Sequence, residues 1–251
     1  MRRLWLAAGI GAGLLTAGVI AAFGYSAATT PSALKLADAP SPAASSPSPT
    51  PPRPALENTC VAPPGAATTT LWIMQSGSKA GFRAHEKFLE VNLPHVAVAR
   101  SDAVGGYLVS TSDRRHLKEG CVAVDLRALT SIDKLPPPLP PATNRDGLFR
   151  DIFDLADYPL AVFTIEPMDL PASRSGLVVH LVITGQIKIR DVTKPVSVKS
   201  DCRLTAETLA CAGSTVVDAR QFNLLLPPQE SPIQVNPMIT IEFSLVFTGK
   251  M

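Results

Sequence analysis

Between Leu177 and Ile189 the chain alternates with period two. Leu177, Val179, Leu181, Ile183, Ile187 and Ile189 are large aliphatics, His180, Thr184, Gln186 and Lys188 fall between them, and Gly185 is the one small residue in the apolar series. Successive side chains of a strand point to opposite faces, so this period specifies a β-strand with one face toward an apolar interior and one toward water. Antiparallel sheets and closed barrels are written this way. At ~3.3 Å per residue the strand spans about 40 Å, long for a sandwich and suited to a tall barrel. Asp191, Val192 and Thr193 interrupt the pattern, and Val196 and Val198 resume it after Lys194-Pro195, which predicts a turn into the next strand.

The rest of the C-terminal part reads in the same code. Thr70 to Met74, Gly81 to His85 and Gly105 to Ser112 are short strands, Cys121 to Arg127 alternates through Val122, Val124 and Leu126, and Phe88 to Ala99 is compatible with strand or helix. Cys202 to Thr205 and Leu209 to Val217 form a hairpin about Ala206-Glu207. Ile239, Ile241, Phe243, Leu245 and Phe247 give the last strand its apolar face. About eight strands result, and the fold class is all-β. One short helix is predicted, with Asn144 as its cap and Leu148, Ile152 and Leu155 on one side beside Phe149 and Phe153. It ends before Asp157-Tyr158-Pro159 and belongs at the mouth of a barrel. Leu135 to Pro141, LPPPLPP, is a stiff polyproline-like loop at the rim.

The N-terminal part is of a different kind. Arg2 and Arg3 precede an uncharged apolar run from Leu4 to Tyr25, long enough to cross a hydrocarbon core of ~30 Å as a helix. Residues 1–28 are therefore read as a single-pass signal anchor that leaves the C-terminal part extracytoplasmic, with a cleaved signal peptide and a secreted or periplasmic product as the alternative. Small residues around Ala22 to Gly24 or Ser26 to Ala28 are compatible with cleavage. Residues 29–64, rich in Pro, Ala, Ser and Thr, lack the apolar side chains that offset ordering entropy and are expected to form a disordered stalk. Residues 65–251 form the folded domain.

Four cysteines in an exported chain suggest two disulfides. Cys202 and Cys211 lie symmetrically about the Ala206-Glu207 turn and face each other across the hairpin. Cys60 and Cys121 pair by elimination, with a free or interchain Cys60 as the alternative. His85, His95, His116 and His180 form no metal-ligand spacing, and His180 sits on the polar face of its strand. Gly77-Ser78-Lys79 and Gly213-Ser214-Thr215 lack the strand-turn-helix setting of a nucleophile elbow. Arg145, Asp146, Arg150, Asp151 and Asp154 read as helix-face pairs. No catalytic constellation, metal site or cofactor is expected. Beyond Glu57 acidic and basic residues balance, which leaves no electrostatic footprint for nucleic acid.

The segment GQIKIRDVTKPVSV, residues 185–198, resembles the G-x-L-T-I-x-G-V-T-K-P-V-x signature of the YceI-like family, with Lys188 in place of Thr and Asp191 in place of Gly. Arg145-Asp146 followed by Tyr158-Pro159 and Phe163 resembles the same family's helix-and-strand block. Gln221-Phe222-Asn223-Leu224 stands where the family has a D-F-G-I-like segment. The resemblance implies an antiparallel eight-stranded, lipocalin-like barrel, not an enzyme, that holds a long apolar isoprenoid such as a polyprenyl lipid or an isoprenoid quinone. Leu126, Leu181, Ile183, Ile187, Ile241 and Phe243 are its candidate interior contacts. Phe82, Phe149, Phe153 and Phe163 are candidates for shaping entry, and Arg145 for meeting a polar headgroup. The partners expected are thus the lipid itself and a membrane through residues 4–25. The competing reading is an envelope interaction module whose barrel is filled by its own side chains.

Overall fold

The computed structural model describes residues 30–39, 56, 58–64, 68–137, 139–171, 177–228 and 230–250. The predicted anchor or signal, residues 1–28, lies outside them, as does residues 40–55 of the expected stalk. Among the described residues no helix is long and apolar enough to cross a membrane.

The strands are β1 (Thr69–Met74), β2 (Lys79–Phe88), β3 (Leu93–Ser101), β4 (Val104–Thr111), β5 (His116–Asp125), β6 (Thr130–Ser131), β7 (Leu160–Ile165), β8 (Met168–Asp169), β9 (Val178–Ile189), β10 (Val192–Leu204), β11 (Thr208–Asp218), β12 (Ile233–Val235) and β13 (Met238–Lys250). Helix α1 is Asp146–Phe153. Strand pairing runs β1-β4-β5-β7-β9-β10-β11-β13, and β13 returns to β1, so eight antiparallel strands close a barrel.

The height of this barrel comes from strands laid end to end. β1 pairs with β13 at Leu71 to Met74, and β2 pairs with the same strand farther along at Lys79 to Arg83. β4 and β3 follow them in the same way, Thr69 facing Thr111 and Phe88 facing Leu93. Each pair is one interrupted stave. Ser78 holds the first break, its hydroxyl donating to Gln75 O and accepting from Val246 N–H. Phe88 to Ala99, ambiguous in sequence, is thus a tight hairpin turning through Asn92 at positive φ.

On β9 the alternation is realised: Ile187 and Ile189 are buried while Val178, His180, Val182 and Lys188 are exposed. Gly185 breaks the apolar series for a steric reason. A Cβ there would lie 2.3 Å from Thr164 O and 2.7 Å from the Phe163 ring, so the aromatic of β7 occupies the space that a side chain on β9 would need.

Three local expectations are corrected. β5 starts earlier than expected, at His116, and ends at Asp125, and Leu126 belongs to a one-turn 3-10 helix, because Asp125 accepts from Arg127 N–H and turns the chain. Asn144 does not cap α1, since it lies within a 3-10 turn, Ala142–Arg145, that leads straight into the helix. The helix presents Phe149 and Phe153 inward, while Leu148 is 47% exposed.

Both disulfides are formed. Cys202–Cys211 joins directly opposed residues of β10 and β11, and Cys60–Cys121 ties the segment before β1 to β5. The interior divides into two apolar clusters. The first gathers Phe149, Phe153, Leu126, Ile187, Ile189 and Ile239 under the helix; the second gathers Trp72, Leu108, Leu117, Leu204, Leu209 and Phe247 around Cys202 and Cys211 at the far end.

Candidate functional site

The two clusters do not meet in a solid core. A cavity runs between them, from Leu209, Cys211 and Phe247 at the far end to Leu129, Phe153 and Ile239 beneath the helix, with an almost wholly apolar lining. Counted at the centres of water-sized spheres its volume is about 150 Å³. A single water needs ~10–15 Å³ on that measure, so the void is a narrow channel and not a packing defect. Inward-facing aliphatics on long strands create it: each strand contributes alternate side chains, and the ring is too wide for them to fill.

Of the expected contacts, Phe82, Leu126, Phe153, Phe163, Leu181, Ile183, Ile187, Ile241 and Phe243 line this channel. Phe149 lines a second chamber above it instead. That chamber, about 340 Å³ on the same measure, lies between α1, the chain from Leu224 to Pro228 and the ends of β2 and β12. Phe82, Phe153 and Ile239 belong to the walls of both spaces. Phe82 meets Phe149 edge-on at 5.4 Å between centroids and Phe153 at 6.0 Å, a three-ring partition of favourable aromatic geometry. Leu148 and Leu225 stand exposed at the lip.

Arg145 reaches this chamber, but not as a free cation. Its Nη1 donates to Glu86 Oε1, its Nη2 to Asp133 Oδ2, and its Nε to Ala142 O. Asp133 also accepts from Val98 N–H at 2.9 Å and lies 2.7 Å from His95 Nε2. Arg145, Glu86 and Asp133 are all buried. Burial pushes the Glu86 carboxyl above its usual range, with Arg145 and His95 opposing only in part. Burial acts on Asp133 too, but hydrogen bonds from His95 and Val98, with Arg145, outweigh it and hold that carboxyl low.

A second buried ionic group lies on the outer wall. Glu242, between the inward-facing Ile241 and Phe243, is 1% exposed. It accepts from Arg83 Nε at 2.7 Å, from Arg100 Nε at 2.9 Å and from Leu34 N–H at 3.3 Å. Both guanidinium groups also donate to backbone carbonyls, Arg83 to Pro31 and Arg100 to Ser32. Residues 31–38, within the stretch expected to be stalk, therefore lie against the barrel with Leu34 buried.

No sequence signal marked Glu86, Asp133 or Glu242 as partners, because the contacts join residues from 12 to 208 positions apart. The remaining sequence candidates have structural surroundings. His180 is exposed and pairs with Asp201, His116 with Asp169, and Arg190 with Asp154.

The YceI-like domain model matches residues 74–247, a span that includes every residue lining the channel. No curated protein matches the chain. Among solved structures it is similar to a polyisoprenoid binding domain from Saccharophagus degradans implicated in plant cell wall breakdown, at 16% identity and TM-score 0.52, over 72% of this chain and 98% of that one. It is also similar to BcnA of Burkholderia cenocepacia, at 16% identity and TM-score 0.46, over 66% of this chain and 95% of that one. A Campylobacter jejuni YceI protein follows at 11% identity and TM-score 0.41, over 61% and 85%.

Proposed function

The chain belongs to the YceI-like family, and from that premise we propose that its barrel binds and carries, without catalysis, a long apolar isoprenoid lipid, a polyprenyl compound or an isoprenoid quinone, in the cell envelope. The observation that carries this reading is the apolar channel through the length of the barrel. Burial of a hydrocarbon chain contributes ~25 cal/mol per Å² removed from water, so binding requires no charged anchor inside. The similar domain from Saccharophagus degradans, described as polyisoprenoid binding, supports the same ligand class. We further propose that residues 4–25 anchor the chain in the membrane with the barrel outside, on the strength of their length and of Arg2-Arg3 before them. An intact mass that begins at Met1 supports retention of that segment; one that begins between Tyr25 and Thr29 identifies it as a cleaved signal.

Ile183→Trp tests the cargo. Ile183 lines the middle of the channel, so the indole should occupy ligand space and lower lipid occupancy while the barrel stays folded. A side chain forced into a filled core instead costs ~1–3 kcal/mol from overpacking. Loss of stability with unchanged lipid content would contradict the proposal.

A further inference from the structure

The inner channel offers a ligand almost no polar group, whereas the chamber above it is lined by Glu86, Arg145 and Asp151. An amphiphile with one polar end and one long apolar chain therefore has a single favourable orientation, chain below the Phe82-Phe149-Phe153 partition and head above it. Its chemistry is then set by the charge that the head meets. Arg145, the one base lining the chamber, is held between two carboxylates, Glu86 and Asp133, and Asp151 adds a third acid at the exposed lip. His95 stands behind Asp133 and pairs with it. One guanidinium shared by two carboxylates has no charge left to neutralise an anion.

Resting on the carrier reading above, we infer that the mouth chamber selects isoprenoids with an uncharged headgroup, such as a hydroxyl or a quinone, and rejects the corresponding phosphates. A phosphate monoester carries roughly 1.5 to 2 negative charges at pH 7, and burying it beside excess carboxylate adds repulsion to desolvation. An uncharged oxygen meets neither penalty. It can accept from the guanidinium N–H groups that the two acids leave over, since Arg145 has five donors. Glu86 and Asp151 are thus specificity-determining residues, and Arg145 is a positioning and donor residue, not an anion site.

Competition decides this. Full-length protein in mild detergent is offered an equimolar mixture of a polyprenol, its monophosphate and a prenylquinone of equal chain length, and the bound lipids are extracted and counted by mass spectrometry. The neutral lipids should exceed the phosphate by at least about tenfold, which corresponds to ~1.4 kcal/mol. Glu86→Gln removes one acid beside Arg145 and should narrow that ratio several-fold. Asp151→Asn, at an exposed position, should narrow it by less and serves if the buried variant does not fold. Phosphate bound as well as or better than polyprenol, or a ratio unmoved in a folded variant, overturns headgroup selection while leaving the carrier intact. Failure of all three lipids to bind overturns the carrier reading itself.

Discussion

Glu242 on the outer wall is a carboxylate between two arginines; Arg145 at the mouth is an arginine between two carboxylates. The two groups are near mirror images in charge, yet they face different things. Pro31 to Leu34 covers Glu242, and the carbonyls of Pro31 and Ser32 take up donors that the carboxylate leaves unused. The Arg145 group borders open volume. The first is an ionic fastening satisfied by the chain's own backbone, and the second is a polar wall that a ligand can meet. Buried ion pairs are weak evidence for stability, because desolvation opposes the Coulomb gain. What the two groups do is better judged by what each adjoins.

Removing the centre of each group should separate them. Arg145→Leu leaves Glu86 and Asp133 with side chains 4% and 0% exposed and no cation between them, and should cost about 3–5 kcal/mol in denaturant unfolding. Glu242→Gln leaves Arg83 and Arg100 15% and 18% exposed, able to turn toward water, and should cost only about 1–3 kcal/mol. Its distinctive result is local: amide exchange at Leu34 should accelerate while the barrel strands stay protected, because Glu242 accepts that N–H. The reverse order of stabilities would mean that the outer fastening, and not the mouth, is the deeper ionic site.

A smaller effect is expected from pH. Glu86 has its carboxyl raised above the ordinary value of 4.5 in the folded protein, so its contribution to stability is full below that pH and is lost as pH rises through the folded value. Asp133 has its carboxyl lowered, so its contribution is present above 3.8 and is lost as pH falls. Glu86→Gln cannot ionise. Its melting temperature should therefore gain on that of the unmodified protein as pH increases from 4.5 toward neutrality, and a constant difference would show that Glu86 does not titrate in this range.

What was readable in the sequence followed from local rules. Period-two alternation at Leu177 to Ile189 and Ile239 to Phe247 placed the lining of the channel, and the symmetry of Cys202 and Cys211 about a turn placed a disulfide. The end of β5 was missed because Leu126 continues the apolar alternation while Asp125 turns the backbone. The ordering of Pro31 to Leu34 was invisible for a different reason. A Pro- and Ala-rich composition argues against self-supported structure, and the support comes from Glu242, Arg83 and Arg100, far away in sequence. Arg145 was singled out from a motif resemblance, but its neutralisation by Glu86 and Asp133 required the fold. That neutralisation narrows the proposed polar headgroup to an uncharged one.

The channel between the two apolar clusters is proposed to hold an isoprenoid chain. This is tested by organic extraction of the full-length protein purified from native cells, with quantitative mass spectrometry of the apolar extract. Close to one long-chain isoprenoid per protein molecule is expected, lowered in Ile183→Trp. An extract without stoichiometric isoprenoid, together with an Ile183→Trp protein that is merely destabilised, would contradict it and identify the barrel as filled by its own side chains.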